Sequence, residues 1–330
     1  MSSQAQPYSN ITQFGRAWIL TITPYTNAQG VPKPIIISST TWQPEPLRMT
    51  FDAYRSIGTD SFWFADIAIY NLNDPTEQIL LTQGMTVKLQ AGYQNQQELG
   101  TIYEGTLFQP MWERENGVDF KLTLRCMVGL MEQTNNFVTL AVAGGLTQGQ
   151  LIYQMAKAAH FPLDTTNVNL SSTIRSSRGE VLFGQPGEYV ASAAKESEAL
   201  AWFGHHSVNI TDFVQPAGSS QKFKTLVYGP GNGLVGTPIQ TQDGVNIKVL
   251  LDARAELSNQ FQLEPSVAIK QFDRVLGQTY PTILDASGTY IIGAVRHYGD
   301  SRGEDWYTEM TGFTYNGSIL ALTSPSGYSE

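Results

Sequence analysis

The chain has 330 residues, of which 41% are hydrophobic and 15% charged, so a disordered, collagen-like or low-complexity chain is excluded. Its 20 basic and 29 acidic residues give a net charge of -9, which argues against tight binding of duplex DNA, because that binding depends on clustered Lys and Arg. Its one cysteine, Cys126, excludes an internal disulfide and cysteine-rich metal sites. No stretch reaches the roughly 18 apolar residues of a membrane helix, so we expect no membrane insertion.

Apolar residues in the first 128 positions follow the pattern of β-strands. Strands are predicted at residues 17–23, 35–37, 66–72, 87–93, 101–108 and 118–126. In the last of these, apolar and polar residues alternate, the period that directs one side chain to a core and the next to water. After residue 72, Asn73, Asp74 and Pro75 predict a turn.

The spacing of apolar residues lengthens toward 3.6 after about residue 128, which predicts helices. Thr147 is predicted to cap a helix that ends before Pro162. A second helix is predicted to begin near Pro186 and to end at Gly204, since a proline is tolerated in the first turn and a glycine ends helices. The polar, serine-rich residues 171–178 between them predict an exposed loop or an extended segment.

The strand pattern returns in the last third of the chain. Strands are predicted at residues 225–228, 245–251, 261–263, 290–297 and 306–313. Turns are predicted at Gly288, Gly299 and Gly303, and the glycine-rich residues 229–236 predict a link between strands. The fold class is therefore mainly β with a helical insert (α+β), and the predicted domains are residues 1–128, 129–224 and 225–330.

A short pattern occurs once in each half of the chain. RENGVDF (residues 114–120) and SRGEDW (residues 301–306) both stand between two predicted strands. Each contains an arginine, a glycine, an aspartate and an aromatic residue in that order. Duplication and coincidence both explain the pattern, because polar turns between antiparallel strands often contain Gly and Asp.

The chain lacks the common patterns of catalytic and metal-binding residues. The four histidines are His160, His205, His206 and His297, and none has the spacing of a helical zinc site. No Gly-x-Ser-x-Gly is present, and Cys126 lies on the apolar face of a predicted strand, where a thiol is inert. We therefore expect no catalytic residue, no metal and no cofactor.

Two further features also favour a structural interpretation. Glu113 and Glu115 lie two residues apart on a polar turn, which is typical of solvated charges rather than of a glycosidase pair. The glycines of residues 229–236 are not followed by the Lys and Ser or Thr of a phosphate-binding loop.

Three consecutive aromatic residues, Phe62, Trp63 and Phe64, cannot all face one core from a strand. Either the strand is buried on both faces, or one face packs against a partner. We retain these three residues as a possible interface.

Six blocks of the chain have a distinctive pattern of strand and turn residues, at residues 69–76, 87–93, 101–107, 114–126, 233–257 and 288–308. In this order they resemble the baseplate hub proteins at the tip of contractile bacteriophage tails. Their motif residues, to which we assign structural roles, are Asn71, Gly92, Tyr93, Gly105, Gly117, Asp119, Gly236, Pro238, Gly244, His297, Gly299, Asp300 and Trp306. Residues 253–257 lack a proline that the family pattern has.

The resemblance implies two tube-like β-barrel domains per chain that flank a mixed α/β middle region. It implies a homotrimer that adapts a sixfold tail tube to a threefold central spike and closes the tube until DNA ejection. The implied partners are the central spike protein, the tail tube or tube-initiator protein and other baseplate (wedge) proteins. The implied location is the virion baseplate, assembled in the host cytoplasm. DNA would pass without specific binding, and an acidic lumen would repel its phosphates.

Two other functions remain open from the sequence. One is a cell-wall hydrolase carried by the tail, although two barrels and the insert use nearly all of the chain. The other is a carbohydrate-binding module, since surface aromatic residues on β domains can stack on sugars.

Overall fold

The computed structural model describes residues 15–24, 33–39, 46–57, 63–81, 85–94, 99–128, 137–160, 167–170, 177–197, 199–204, 207–212, 225–240, 244–267, 271–272 and 289–314. Within these ranges most residues lie in strands, which confirms the mainly β class. None of the described helices is long and apolar enough to span a membrane.

The first part of the chain contributes seven strands and a short helix. They are β1 (Arg16–Pro24), β2 (Ile35–Ser38), β3 (Met49–Ser56), β4 (Trp63–Tyr70), α1 (Asp74–Leu80), β5 (Met85–Tyr93), β6 (Gly100–Arg114) and β7 (Phe120–Val128). β3 was not among the predicted strands, although Met49, Phe51 and Ala53 are buried and alternate with partly exposed residues.

The middle part contains both longer helices among short strands. Its elements are β8 (Val138–Val142), α2 (Gln148–Ala158), β9 (Asn167–Asn169), β10 (Glu180–Gly184), α3 (Pro186–Glu196), β11 (Ala199–Gly204) and β12 (Ser207–Asp212). β8 pairs with β10, and β12 pairs with β11 and β9, which gives two small sheets. α2 and α3 pack with these strands in a separate hydrophobic core.

The last part is again made of strands. They are β13 (Thr225–Tyr228), β14 (Leu234–Gln240), β15 (Gly244–Leu250), β16 (Gln260–Leu263), β17 (Gln271–Phe272), β18 (Thr289–Asp300) and β19 (Trp306–Thr314). Gly299 lies inside β18, opposite Phe51 and Trp306, so the turn predicted at this glycine is wrong. The turn itself spans residues 301–305.

One large sheet joins the first and last parts of the chain. Its strand order is β17-β14-β15-β19-β18-β3-β4-β7-β6-β5-β1-β2, and β13 joins it through β16, which pairs with β18. Most neighbours are antiparallel, and one hydrophobic core contains residues from both parts. Among the described residues, this path of pairings stays open and does not close into a barrel.

The strand arrangement is repeated in the two parts of the sheet. The order β3-β4-β7-β6-β5 in the first part corresponds to β14-β15-β19-β18-β16 in the last part, and all four pairings are antiparallel in each. The order of the strands along the chain is also the same. β1 and β13 break the correspondence, because β1 is antiparallel to β5 whereas β13 is parallel to β16.

The repeat extends to single residues of the two long hairpins, β6–β7 and β18–β19. Asn71 donates its backbone N–H to Phe120, and Leu251 donates to Trp306, so Phe120 and Trp306 are equivalent. Counted from this pair, the one-residue bulges coincide, with Phe108 extra in β6 and Gly293 extra in β18. The glycine, aspartate and aromatic residues of the sequence pattern therefore have equivalent positions, whereas Arg114 lies in a strand and Arg302 in a turn.

The helices show where local sequence signals succeed and fail. Thr147 caps α2 as predicted, in a capping box completed by Gln150. α3 begins at Pro186 but ends at Glu196, because the following residues are buried and pair with β12 as strand β11. The turn predicted at residues 73–75 is the start of helix α1, where the Asn73 side chain accepts from the Thr76 N–H.

Candidate functional site: the seam and the polar face

The junction between β3 and β18, with the adjoining turn at residues 301–305, is named the seam. Antiparallel pairing runs from Thr50 opposite Asp300 to Ser56 opposite Ala294. β18 pairs with β16 before the bulge at Gly293 and with β3 after it. The bulge therefore lets one strand belong to the last part of the chain and also hold the edge of the first part.

Two arginines from the first part hold the seam turn. Arg48 donates to both carboxylate oxygens of Asp300, at 3.3 and 2.7 Å. Arg16 donates to the backbone carbonyls of Asp300, Gly303 and Glu304. Because one guanidinium binds three carbonyls, the turn is fixed relative to β1 as well as to β3.

The Asp300 side chain is an ionised carboxylate that binds Arg48 and thereby stabilises this turn. Burial alone would raise the pKa of its carboxyl, but hydrogen bonds from Arg48 and from the Arg302 and Gly303 backbone outweigh that and lower it. The Asp300 carboxylate therefore stabilises the fold at neutral pH, and this contribution is lost only as acid protonates it.

Trp306 is packed across the seam. Its ring meets Phe51 edge to face at a centroid distance of 5.2 Å, and its Nε1 donates to the carbonyl of Gly92 at 3.1 Å. Arg16 lies 5.5 Å from the ring centroid. A Cβ at position 299 would lie 2.5 Å from the Trp306 ring and 2.8 Å from Phe51, so the seam requires Gly299.

His297 is fully buried beside the seam and is held neutral. Its Nε2 accepts from Arg55 at 3.3 Å, because a guanidinium can only donate, so its Nδ1 donates to Thr308 Oγ1 at 2.8 Å. The Thr308 oxygen also accepts from the Asp252 N–H at 3.0 Å. Burial, together with the charge of Arg55, places the pKa of His297 well below 6.5.

We expect the buried imidazole to make stability depend on pH. The unfolded chain binds a proton on this histidine below about pH 6.5 and the folded chain does not, so the unfolding free energy falls with acidification by up to about 1.4 kcal/mol per pH unit. Urea unfolding between pH 7.5 and 5.5 measures this slope. His297→Gln removes this part of the slope and His160→Gln, at an exposed position, keeps it; equal slopes in both variants would contradict the assignment.

The equivalent turn of the first part, residues 115–119, is held by side chains of its own. Asn71, with a φ of 54°, donates to Asp119 at 2.9 Å and accepts from the Phe120 N–H at 3.0 Å. Asn116 donates to the other oxygen of Asp119 at 2.7 Å, and these bonds lower the pKa of the carboxyl. The predicted motif residues Asn71, Gly117 and Asp119 are thus brought to one turn.

The remaining motif residues lie apart from both turns. Gly105 faces Tyr103, Val128 and the Met127 carbonyl, which leave no room for a Cβ. Burial raises the pKa of Tyr93 to about 12. In β14, Gly236 has a φ of 75° and Pro238 is buried, and both lie where the register with β15 shifts.

Two of the three consecutive aromatic residues have opposite environments. Trp63 is 7% exposed and donates its Nε1 to the Ser56 carbonyl at 3.0 Å, whereas Phe64 is 43% exposed. Phe62 lies outside the described residues, as do His205 and His206. Of the two described residues, Phe64 is the one that a partner can reach. The role of the three aromatic residues in an interface stays a prediction.

One face of the large sheet, here called the polar face, carries a row of charged side chains across eight strands. The row contains Lys88, Glu104, Arg125, Asp66, Asp52, Arg296, Glu309 and Lys248. Arg125 binds Asp66 through two bonds of 2.9 Å, Arg296 binds Asp52 at 2.9 and 2.6 Å, and Lys88 lies 3.1 Å from Glu104. Basic and acidic members are equal in number, so the row is neutral.

The side chains considered for chemistry lie in ordinary structural settings. Cys126 is fully buried, which raises the pKa of its thiol, and Glu113 forms an ion pair with Lys121 at 2.8 Å. Among the residues that the structure describes, His, Cys, Asp and Glu form no group of three that could hold a metal.

Sequence patterns did not identify Arg16, Arg48, Arg55 or Phe51. Their partners at the seam lie more than 240 positions further along the chain, so local spacing carries no signal for them. Alternation in β3 could have identified that strand, but not the strand with which it pairs.

The fold is shared with two tail proteins and with a component of a type VI secretion system. The tail protein from Neisseria meningitidis MC58 matches with a TM-score of 0.55 at 10% identity, over 92% of this chain and 98% of that one. The 43 kDa tail protein of prophage MuSo2 from Shewanella oneidensis matches with a TM-score of 0.53 at 9% identity, with the same coverages. The c3393 protein of E. coli, a component of the type VI secretion system, matches with a TM-score of 0.54 at 11% identity, over 86% and 78%.

The sequence profile of the family Baseplate hub gp41 matches residues 65–270, which is more than half of the chain. The chain belongs to this family, and its role is structural, in the baseplate of a phage tail. The resemblance inferred from the sequence blocks is thereby confirmed, although the block at residues 288–308, which contains His297 and Trp306, lies beyond the matched residues. No curated protein sequence matches the chain.

Proposed function

We propose that this hub protein assembles as a homotrimer that adapts a sixfold tail tube to a threefold central spike. The observation that supports this is the repeated strand order, β3-β4-β7-β6-β5 and β14-β15-β19-β18-β16, within one sheet. Three chains with two similar units each present six similar units around an axis. One surface can then match a sixfold tube while the chain itself keeps threefold symmetry.

In this proposal the two strand units at residues 1–128 and 225–330 become tube-like barrels in the assembly, and residues 129–224 form a separate middle domain. Tube or tube-initiator protein, spike and wedge proteins are its partners in the virion baseplate, after assembly in the host cytoplasm. In the assembly, strands of neighbouring chains pair with the free edges of these strand units and close the barrels. This fits the path of pairings in the single chain, which stays open among the described residues.

The polar face lines the channel in this arrangement, and the hub closes it until DNA is ejected. Seven of the eight members of its charged row form ion pairs, and Lys248 lies over the rings of Tyr298 and Tyr307. DNA would therefore meet few free cations to bind its phosphates. The eight-residue row is neutral, and the acidic lumen expected from the resemblance is not part of the proposal. The function needs no catalytic residue and no cofactor.

Mass in solution tests the proposed assembly. Light scattering of the full chain with its spike protein is expected to give three hub chains per complex, and the isolated chain gives trimers at high concentration. A strict monomer in the presence of the spike would contradict the proposal. Release of sugar or peptide from purified peptidoglycan by the isolated protein would instead favour a hydrolase.

A further inference from the structure

The repeat assigns a partner to a strand edge that has none among the residues that the structure describes. At the seam, the edge strand β3 pairs with the part of β18 that follows the bulge at Gly293. The equivalents of these two strands are β14 and the part of β6 that follows the bulge at Phe108. Residues 109–114 of β6 pair with β7 on one side, and no described strand pairs with them on the other.

This part of β6 and the bulge before it carry two exposed aromatic side chains, Trp112 and Phe108. Trp112 is 47% exposed, whereas its equivalent in β18, His297, is 0% exposed under β3. Trp112 stacks on Phe120 at 5.3 Å, and the bulged Phe108 is also exposed. The strand position that β3 buries at the seam, that of His297, is thus occupied in the first part by an exposed aromatic side chain, Trp112.

We propose that residues 109–114 of one chain pair in antiparallel fashion with β14 of a second copy, in the register that β18 and β3 use at the seam. The inference rests on the proposed trimer and adds its contact surface. Every copy carries both edges, residues 109–114 and β14. Each chain therefore uses one edge toward one neighbour and the other edge toward the second neighbour, which makes the contact heterologous. Such a contact closes into a ring when its rotation is a third of a turn.

The register follows from the ladders within the chain. Asp52 pairs with Asp66 in β4, and Ile239 pairs with Asn246, the equivalent residue of β15. Tyr298 pairs with the residue after Trp306, and Glu113 pairs with the residue after Phe120, so Tyr298 and Glu113 are equivalent. Since Asp52 lies opposite Tyr298, Ile239 of one copy lies opposite Glu113 of the next.

β17 occupies part of the same edge in the single chain. It has two residues and pairs in parallel with Ile239 and Gln240. A strand from the neighbouring copy offers a longer antiparallel ladder and covers Trp112, so β17 gives way to it in the ring. The ring then has six junctions of one kind, three within chains and three between them.

Cysteine pairing tests this register in the full chain. Directly opposed residues of an antiparallel pair have Cβ atoms about 4.5–5.5 Å apart, near the separation that a disulfide needs. The double variant Glu113→Cys, Ile239→Cys is expected to give covalent trimers, with nothing larger, on a denaturing gel after mild oxidation. The buried Cys126 does not compete.

The matched control is Arg114→Cys with Ile239→Cys, because adjacent residues of a strand face opposite sides of the sheet. This variant is expected to stay monomeric on the gel. A trimer by light scattering without covalent trimers in the first variant overturns the strand pairing and leaves the hub trimer standing. A monomer in all conditions, with the spike present, overturns the proposed function and this contact together.

Trp112→Ala is a second, independent test. The variant is expected to shift trimer formation to higher protein concentration, while the urea midpoint of the monomeric chain changes little. Val181→Ala, an exposed apolar residue of the middle part, is expected to leave assembly unchanged. Equal assembly of both variants and the unaltered chain would count against the contact.

Discussion

Trp306→Ala is expected to destabilise the isolated chain by about 4 kcal/mol, the range found when a buried aromatic residue is truncated. The indole is buried at the seam, where it packs on Phe51 and lies beside Arg16. The substitution leaves a cavity and also removes the donor to the Gly92 carbonyl. Urea unfolding followed by circular dichroism measures the loss.

The matched control for this variant is Trp112→Ala, since Trp112 lies on the equivalent hairpin of the first part but is half exposed. At a concentration where the chain is monomeric, the cost is expected to stay below about 1 kcal/mol. Similar losses for the two tryptophans would show that the seam does not hold the two parts together.

Gly244→Ala is expected to cost about 3 kcal/mol, the upper range for overpacking a close-packed site. A Cβ at this position would overlap the carbonyl oxygen of Gly312 and would lie 3.0 Å from the Phe313 Cα. Both are backbone atoms of β19, so relief requires movement of the strand and not of a flexible side chain. The urea midpoint of the full chain is the measurement.

Gly117→Ala is the control for Gly244→Ala. Gly117 is also a motif glycine, but a Cβ at this position would have no other atom within 4 Å. Its effect is expected to lie within about 0.5 kcal/mol of zero. A large loss at Gly117, or none at Gly244, would contradict the packing account.

Local signals of the sequence identified most elements of the large sheet. Alternation located β5, β7, β15 and β19 within a few residues, because apolar side chains on one face of each strand alternate with mostly polar ones on the other. The same reasoning extended α3 into β11, since apolar residues buried on both faces carry no period that separates helix from strand. It also missed α1, whose asparagine cap and early proline are equally typical of a turn.

The sequence alone determined the β class, the capped helix α2, the family blocks and the paired turn motif at residues 114–120 and 301–306, because each depends on neighbours along the chain. The tertiary structure alone decided that β3 pairs with β18, that Arg16 and Arg48 hold a turn over 250 positions away, and that the two parts share a strand order. These features arise from contacts between segments that are distant along the chain, and strand periodicity fixes which face of a strand is buried without specifying which strand lies beside it.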